Sequence, residues 1–176
     1  MKIIISGANG LIGAAVVPSL QTAGHEVIRM IRTKRPDEES RPVPHIVWNP
    51  EAGQLDPRAL EGTDAVINLA GEPIAQRWTA EKKTQIRNSR VRGTRALAAA
   101  IAAMKRPPQV WINASAIGYY GNRGADILTE RSTAGSGFLA EVCREWEAAT
   151  EPASQRGVRV VRLRTGIVLS RSGGAL

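Results

Sequence analysis

The chain is poor in the residues that build cross-links and cages. Cys143 is its only cysteine, which excludes an intrachain disulfide and leaves no basis for a thiolate metal site. Its two histidines, His25 and His45, are too few and too far apart to suggest a metal pair. Aromatic residues make up 4 % of the sequence, with a single Phe, so no basic run is interleaved with stacking side chains as a nucleic-acid platform requires. No apolar run approaches the length of about 20 residues needed to span a membrane. The amino terminus passes directly into a strand pattern, without a charged leader or an apolar signal core. A reducing, cytoplasmic setting is expected.

What is present fits a globular protein: 176 residues, 43 % apolar and 23 % charged. That length supports one domain over residues 1–176 with a sizeable core. The net charge of +8 raises an acidic partner such as nucleic acid or a membrane surface. The cations are scattered over several predicted helices and loops, so both partners are set aside.

The densest signal is Gly7-Ala8-Asn9-Gly10-Leu11-Ile12-Gly13, between the apolar run Ile3-Ile4-Ile5 and a helical pattern carrying Val16, Val17 and Leu20. Glycines at this spacing serve three needs: a tight strand-to-helix turn, close approach of a pyrophosphate, and helix-on-strand packing. The helix start offers its unpaired N–H groups to phosphate. Ala23-Gly24 ends the helix, and residues 26–31 read as a second strand. An NAD site would place Asp or Glu at the end of that strand for the ribose 2′-hydroxyl. Ile31 takes that slot here, with Arg32, Lys34 and Arg35 behind it, a set of cations suited to a 2′-phosphate. NADP(H) is therefore expected in preference to NAD(H).

Further strands are expected at His45–Trp48, Ala65–Ala70, Val110–Ala114 and Val158–Leu163, and a surface connection at Pro36–Pro44. A short helical turn is expected around Pro57–Leu60, and helices at Trp78–Met104 and Gly137–Gln155. The last carries Leu139, Val142, Cys143 and Trp146 at i, i+3, i+4, i+7 spacing. Alternating strands and helices imply an α/β fold, a Rossmann-type doubly wound parallel sheet.

Several of these segments together resemble an extended-type short-chain dehydrogenase/reductase. They are the glycine turn, Asn68-Leu69-Ala70-Gly71-Glu72, Ser89-Arg90, Ala114-Ser115-Ala116-Ile117-Gly118-Tyr119-Tyr120-Gly121, Trp146-Glu147 and Arg164-Thr165-Gly166-Ile167-Val168-Leu169. More narrowly they resemble its atypical "epimerase family", NAD-dependent epimerase/dehydratase-like and sometimes labelled cell-division inhibitor. The resemblance implies that Gly7 to Gly13 hold the pyrophosphate and Arg32 the adenosine phosphate. It gives Leu69-Ala70-Gly71 the adenosine and ribose side through backbone contact, and has Arg90 reach in from the long helix. Related chains continue into a smaller carboxyl-terminal substrate region, and this chain ends at Gly173-Gly174-Ala175-Leu176, so that region is expected to be lacking.

The sequence departs from this family pattern at two places. Many members carry an Asp near the adenine, where Trp48-Asn49-Pro50 stands here. Typical members also pair a strand-end Ser or Thr with Tyr-x-x-x-Lys, the lysine easing proton exchange by the phenol. Anchoring on Trp146-Glu147 puts Leu139 at the tyrosine position and Cys143 at the lysine position; a shift by one gives Phe138 and Val142. Ser115 stands as the substrate-orienting hydroxyl, with Tyr120 or Tyr119 as a surrogate acid/base. Cys143 suits a buried structural thiol better than a reactive one. Asp126, Glu130 and Arg131 lie in the loop where specificity would reside.

Two readings follow: an NADP-dependent oxidoreductase or sugar-nucleotide epimerase-like enzyme of unknown substrate, or a non-catalytic NADP(H)-sensing and partner-docking module. Homo-oligomerisation is left open.

Overall fold

A computed structural model describes residues 1–32, 44–50, 52, 53, 55–171, 173 and 174. Lys34, Arg35 and most of the Pro36–Pro44 connection lie outside the described residues. The chain alternates as expected, in the order β1 (Lys2–Ser6), α1 (Leu11–Thr22), β2 (Glu26–Ile31), β3 (His45–Val47), β4 (Ala65–Asn68), α2 (Ala80–Ala103), β5 (Val110–Ala116), α3 (Phe138–Ala148), α4 (Glu151–Gln155) and β6 (Arg159–Thr165). The six strands are all parallel, in the order β3-β2-β1-β4-β5-β6. This is the Rossmann order, whose reversal between β1 and β4 opens a crevice at the carboxyl ends of those strands.

The core lies on both faces, because successive strand residues point to opposite sides. Ile4, Met30, Val66 and Trp111 pack with Leu97 and Ile101 of α2 on one face. Ile3, Ile5, Val27, Ala65 and Ile67 pack with Val17 of α1 on the other. That explains the unbroken apolar runs: β1 and β4 are covered on both sides. The second face thins toward β5 and β6, where Ile112 is only partly buried and Leu163 is 42 % exposed.

Two details depart from the sequence expectation. The helix expected over 137–155 is two helices, with Ala149 and Thr150 between them. Pro152 has no N–H to continue the first helix, while the Thr150 hydroxyl donates to the Glu147 carbonyl at 2.7 Å. A short antiparallel pair, β7 (Leu169–Ser170) with β8 (Gly173–Gly174), follows β6 and had no sequence signal. The turn at Pro57–Leu60 is a 3₁₀ helix, capped by the Asp56 carboxylate accepting from the Arg58 N–H.

Candidate functional site: a cleft at the sheet crossover

The chain leaves β1 through Gly7, whose φ of +71° is the left-handed region that a residue without a β-carbon adopts freely. Space demands glycine as well: a β-carbon there would stand 2.6 Å from the Leu69 carbonyl carbon. Gly13 is needed for packing, since its β-carbon would fall 2.7 Å from the Ala8 α-carbon. Gly10 differs, for a β-carbon on it would meet only the Gly7 carbonyl oxygen, at 3.3 Å. Nothing inside the protein forces glycine at 10; it opens the approach to the helix start. Gly10 caps α1 without a side-chain hydrogen bond, and the first turn holds no acidic residue. The Gly10 N–H is bonded to the Gly7 carbonyl at 3.0 Å, and no side chain caps the amides of the first turn behind it.

Gly7, Ala8, Asn9 and Gly10 form one wall of a cleft of about 770 Å³, and Leu69, Ala70, Gly71 and Glu72 form the facing wall. The far end is closed by Met30, Ile31 and Arg32 from β2 with Trp48 and Pro50. Ile31, in the slot where an acid would meet a ribose, is 6 % exposed, and the exposed Arg32 follows it. The Glu72 carboxylate on the facing wall is paired with Lys82 at 2.9 Å. Trp48 and Pro50 give the far end an apolar surface beside Arg32.

Leu11, Ile12 and Gly13 do not line the cleft; they begin α1 behind the turn. Arg90 does not line it either. Its guanidinium lies beneath the facing wall, donating to the Glu72 carbonyl at 3.0 Å and the Ile86 carbonyl at 3.1 Å. The Trp146 ring covers it at 5.2 Å, and a β-carbon on Gly71 would stand 3.1 Å from its Cζ. Burial pulls the Arg90 pKa below its ordinary value, against the charges of Cys143 and Glu72. Sequence reasoning missed Ser89 and Gln85, both in the lining. Ser89 also accepts the Glu72 N–H at 3.0 Å, and its place beside Arg90 was the available signal.

The three hydroxyls considered for chemistry lie elsewhere. Ser115 is 2 % exposed and donates to Glu147 Oε1 at 2.6 Å, so its proton is already held. Strand alternation places it with Trp111 and Asn113 on the helix-covered side of β5. Tyr120 Oη accepts from Arg164 Nη1 at 3.0 Å, and the same guanidinium lies 3.5 Å from the Tyr119 ring centroid. Arg164 grips the Glu147 carboxylate with two parallel bonds of 2.8 Å. Burial pushes the Glu147 carboxyl up, but hydrogen bonds from Arg164 and Ser115 outweigh it and hold the group below its ordinary pKa. Tyr120, Glu147 and Arg164 line a second cleft of about 650 Å³, which also takes Glu130 from the 121–137 loop. Asp126 pairs with Arg123 at 3.3 Å.

The positions expected for a Tyr–Lys couple sit against the start of the segment after β5. A β-carbon on Gly118 would stand 3.3 Å from Leu139 Cβ and 3.8 Å from Cys143 Sγ. Burial and the Glu147 charge push the Cys143 thiol up from its ordinary pKa. Leu139 has no ionisable group, and the Cys143 thiol holds its proton more tightly than a free thiol. Among the described residues no His, Cys, Asp and Glu cluster could hold a metal, and no helix is long and apolar enough to cross a membrane.

A model of the NAD dependent epimerase/dehydratase family matches residues 3–170. The chain belongs to this family. An epimerase family protein of Mycobacterium bovis is 46 % identical over 175 residues, which are 99 % of this chain and 56 % of the relative. Among solved structures, the nucleoside-diphosphate sugar epimerase of Corynebacterium glutamicum is 42 % identical with a TM-score of 0.85, covering all of this chain and 36 % of that one. The human epimerase family protein SDR39U1, solved with NADPH, is 32 % identical with a TM-score of 0.83, covering 99 % of this chain and 57 % of that one. The chain thus spans little more than half the length of the family relative it matches.

Proposed function

We propose that the cleft between the glycine turn and Leu69–Glu72 binds NADP(H), with NADP(H) preferred over NAD(H). The observation that carries this is the pairing of an open helix start at Gly10 with a β2 end that presents Arg32 and no acid. The turn amides would hold the pyrophosphate. Arg32 would meet the 2′-phosphate with a planar, permanently charged fork. The human relative solved with NADPH supports the same choice. Calorimetric titration of the purified chain with NADPH and NADH tests it. Binding of NADPH in clear preference to NADH is expected, and binding of neither overturns the reading.

As an enzyme the protein is an oxidoreductase or epimerase-like member of the short-chain dehydrogenase/reductase superfamily, acting on a small molecule whose class the chain leaves open. The cofactor supplies hydride transfer at its nicotinamide ring. The protein would supply orientation, with Tyr120 or Tyr119 proposed as the proton-transfer group; Tyr120 is the one whose oxygen accepts from Arg164, at 3.0 Å. Ser115, with its proton on Glu147, serves as a support for that network. Loss of NADPH oxidation in Tyr120→Phe, with NADPH affinity kept, is the expected result.

A second reading, a non-catalytic NADP(H) sensor that docks a partner, is favoured by Leu139 and Cys143 at the positions of the proton-transfer couple. Tight NADPH binding with no turnover on any hydroxylated or carbonyl substrate would select it. A cytoplasmic location is proposed from the lone cysteine.

A further inference from the structure

Three neighbouring strands carry buried polar side chains at one level of the sheet, at the ends of β1 and β4 and within β5. Ser6 is in register with Asn68 across β1 and β4, and Asn68 with Asn113 across β4 and β5. Their exposures are 0, 2 and 0 %. This level lies directly under the floor of the cleft, one residue before Gly7 on one side and before Leu69 on the other.

The bonds between them run on into the helices. Ser6 Oγ donates to Asn68 Oδ1 at 2.5 Å, and Asn68 Nδ2 donates to Asn113 Oδ1 at 2.7 Å and to Thr94 Oγ1 at 3.0 Å. The Trp146 indole N–H donates to the same Thr94 oxygen at 2.9 Å. Trp146 covers the Arg90 guanidinium, and Arg90 holds the Glu72 carbonyl. The path therefore starts at the residue before the glycine turn and finishes in the wall that faces it. A backbone bond from the Leu69 N–H to the Ser6 carbonyl, 3.1 Å, closes it at the top.

Packing alone does not call for this arrangement. Buried polar groups add little net stability over well-packed apolar ones and are costly when one partner is lost. Arg90 adds to the cost: no ion pair among the described residues includes it, so its direct partners are two carbonyls and a ring face, and the Glu72 charge acts on it only from beyond ion-pair distance. What polar groups offer and apolar ones do not is fixed direction, and both walls of the cleft are what this path directs.

We infer that Asn68, Thr94, Trp146 and Arg90 form a tie that sets the gap between the Gly7–Gly10 turn and the Leu69–Glu72 wall. Thr94 and Arg90 are positioning residues, governing ligand affinity without touching the ligand. The inference takes its ligand from the NADP(H) reading, while the tie itself is testable without any ligand.

The experiment uses Thr94→Val, which keeps the side-chain volume and removes the shared acceptor, with Thr94→Ser as the conservative control. Hydrogen exchange at the Leu69 and Glu72 amides, NADPH affinity and the unfolding midpoint are measured together. Faster exchange at those two amides and affinity weakened about tenfold are expected in Thr94→Val, both restored in Thr94→Ser. Should Thr94→Val fail to fold, Trp146→Phe removes one donor while keeping a ring over Arg90, and the same changes are expected on a smaller scale. Unchanged exchange in a folded variant overturns the tie, as does unchanged affinity where the parent chain binds NADPH. A parent chain that binds no NADPH sinks the cofactor reading alone, because the exchange comparison still decides the tie.

Discussion

A β-carbon on Gly13 would press on the Gly7 carbonyl oxygen and stand 2.7 Å from the Ala8 α-carbon. The first and third glycines of the turn thus exclude any side chain for internal reasons, whereas Gly10 has only one contact to relieve, at 3.3 Å. Alanine substitutions should separate the two roles. Gly13→Ala overpacks backbone against backbone and should cost about 1–3 kcal/mol, a fall of some ~2–12 °C in the unfolding midpoint for a chain of this size. Gly10→Ala should leave the midpoint within about 2 °C and weaken NADPH binding instead. Thermal unfolding beside calorimetry reads both, and a Gly10→Ala chain that binds as well as its parent would remove the cleft wall from the pyrophosphate role.

If the cleft binds NADP(H) as proposed, Arg32 carries the choice between the two dinucleotides. A charged hydrogen bond contributes about 1.5–3 kcal/mol, so Arg32→Ala should lower NADPH affinity roughly 10- to 100-fold. NADH affinity should stay within about threefold, since no phosphate meets the lost fork. Raising salt from 50 to 500 mM should narrow the preference in the parent chain and leave the variant nearly flat, because the exposed cation is screened. Equal loss for both dinucleotides would mean that Arg32 shapes the cleft instead of reading the phosphate.

Much of this was legible in the sequence, and what was not depended on register. The glycine spacing, the missing acid at Ile31 and the alternation of strands and helices fixed the fold and placed one cleft. The break after Ala148 escaped periodicity, because Trp146 ends one apolar face only a few residues before Pro152 starts another helix. The family resemblance gives Ser115 a substrate-orienting role, whereas its contact in the fold is with Glu147 on the helix-covered side of β5, together with Trp111 and Asn113. The grip of Arg164 on Glu147 could not be read at all. It needs Ser115 and Arg164 opposite each other across β5 and β6, and parallel register is set by packing, which leaves no local trace in the chain.

That pair makes the protein acid-sensitive in a defined window. Glu147 is 8 % exposed, and its carboxyl is held below the ordinary value because the bonds from Arg164 and Ser115 outweigh its burial. A depressed folded-state pKa contributes stability that is present above the unfolded value, near 4.3, and is lost as pH falls through the folded value. Glu147→Gln should therefore cost about 3 kcal/mol at pH 7, leaving Arg164 without its counter-charge. It should also flatten the loss of stability of the parent chain between about pH 4.5 and pH 3. Denaturant unfolding across that range measures both, and a parent chain whose acid limb matches that of the variant would mean that other carboxylates set it.

Cys143 offers a test of whether the interior around the α3–β5 contact is closed. The thiol is 4 % exposed, and burial with the nearby Glu147 charge raises its pKa, so little thiolate forms and little of it is reachable. A disulfide-exchange reagent at pH 8 should label the native chain at less than about one-hundredth of its rate on the unfolded chain. Labelling should accelerate in Glu147→Gln only as far as that variant's stability falls, which would place access through opening of α3 and not through a reactive thiolate. Fast labelling of the folded parent chain, saturating well below pH 8, would instead reveal an activated thiol beside Arg90 and return Cys143 to the list of groups able to act on a substrate.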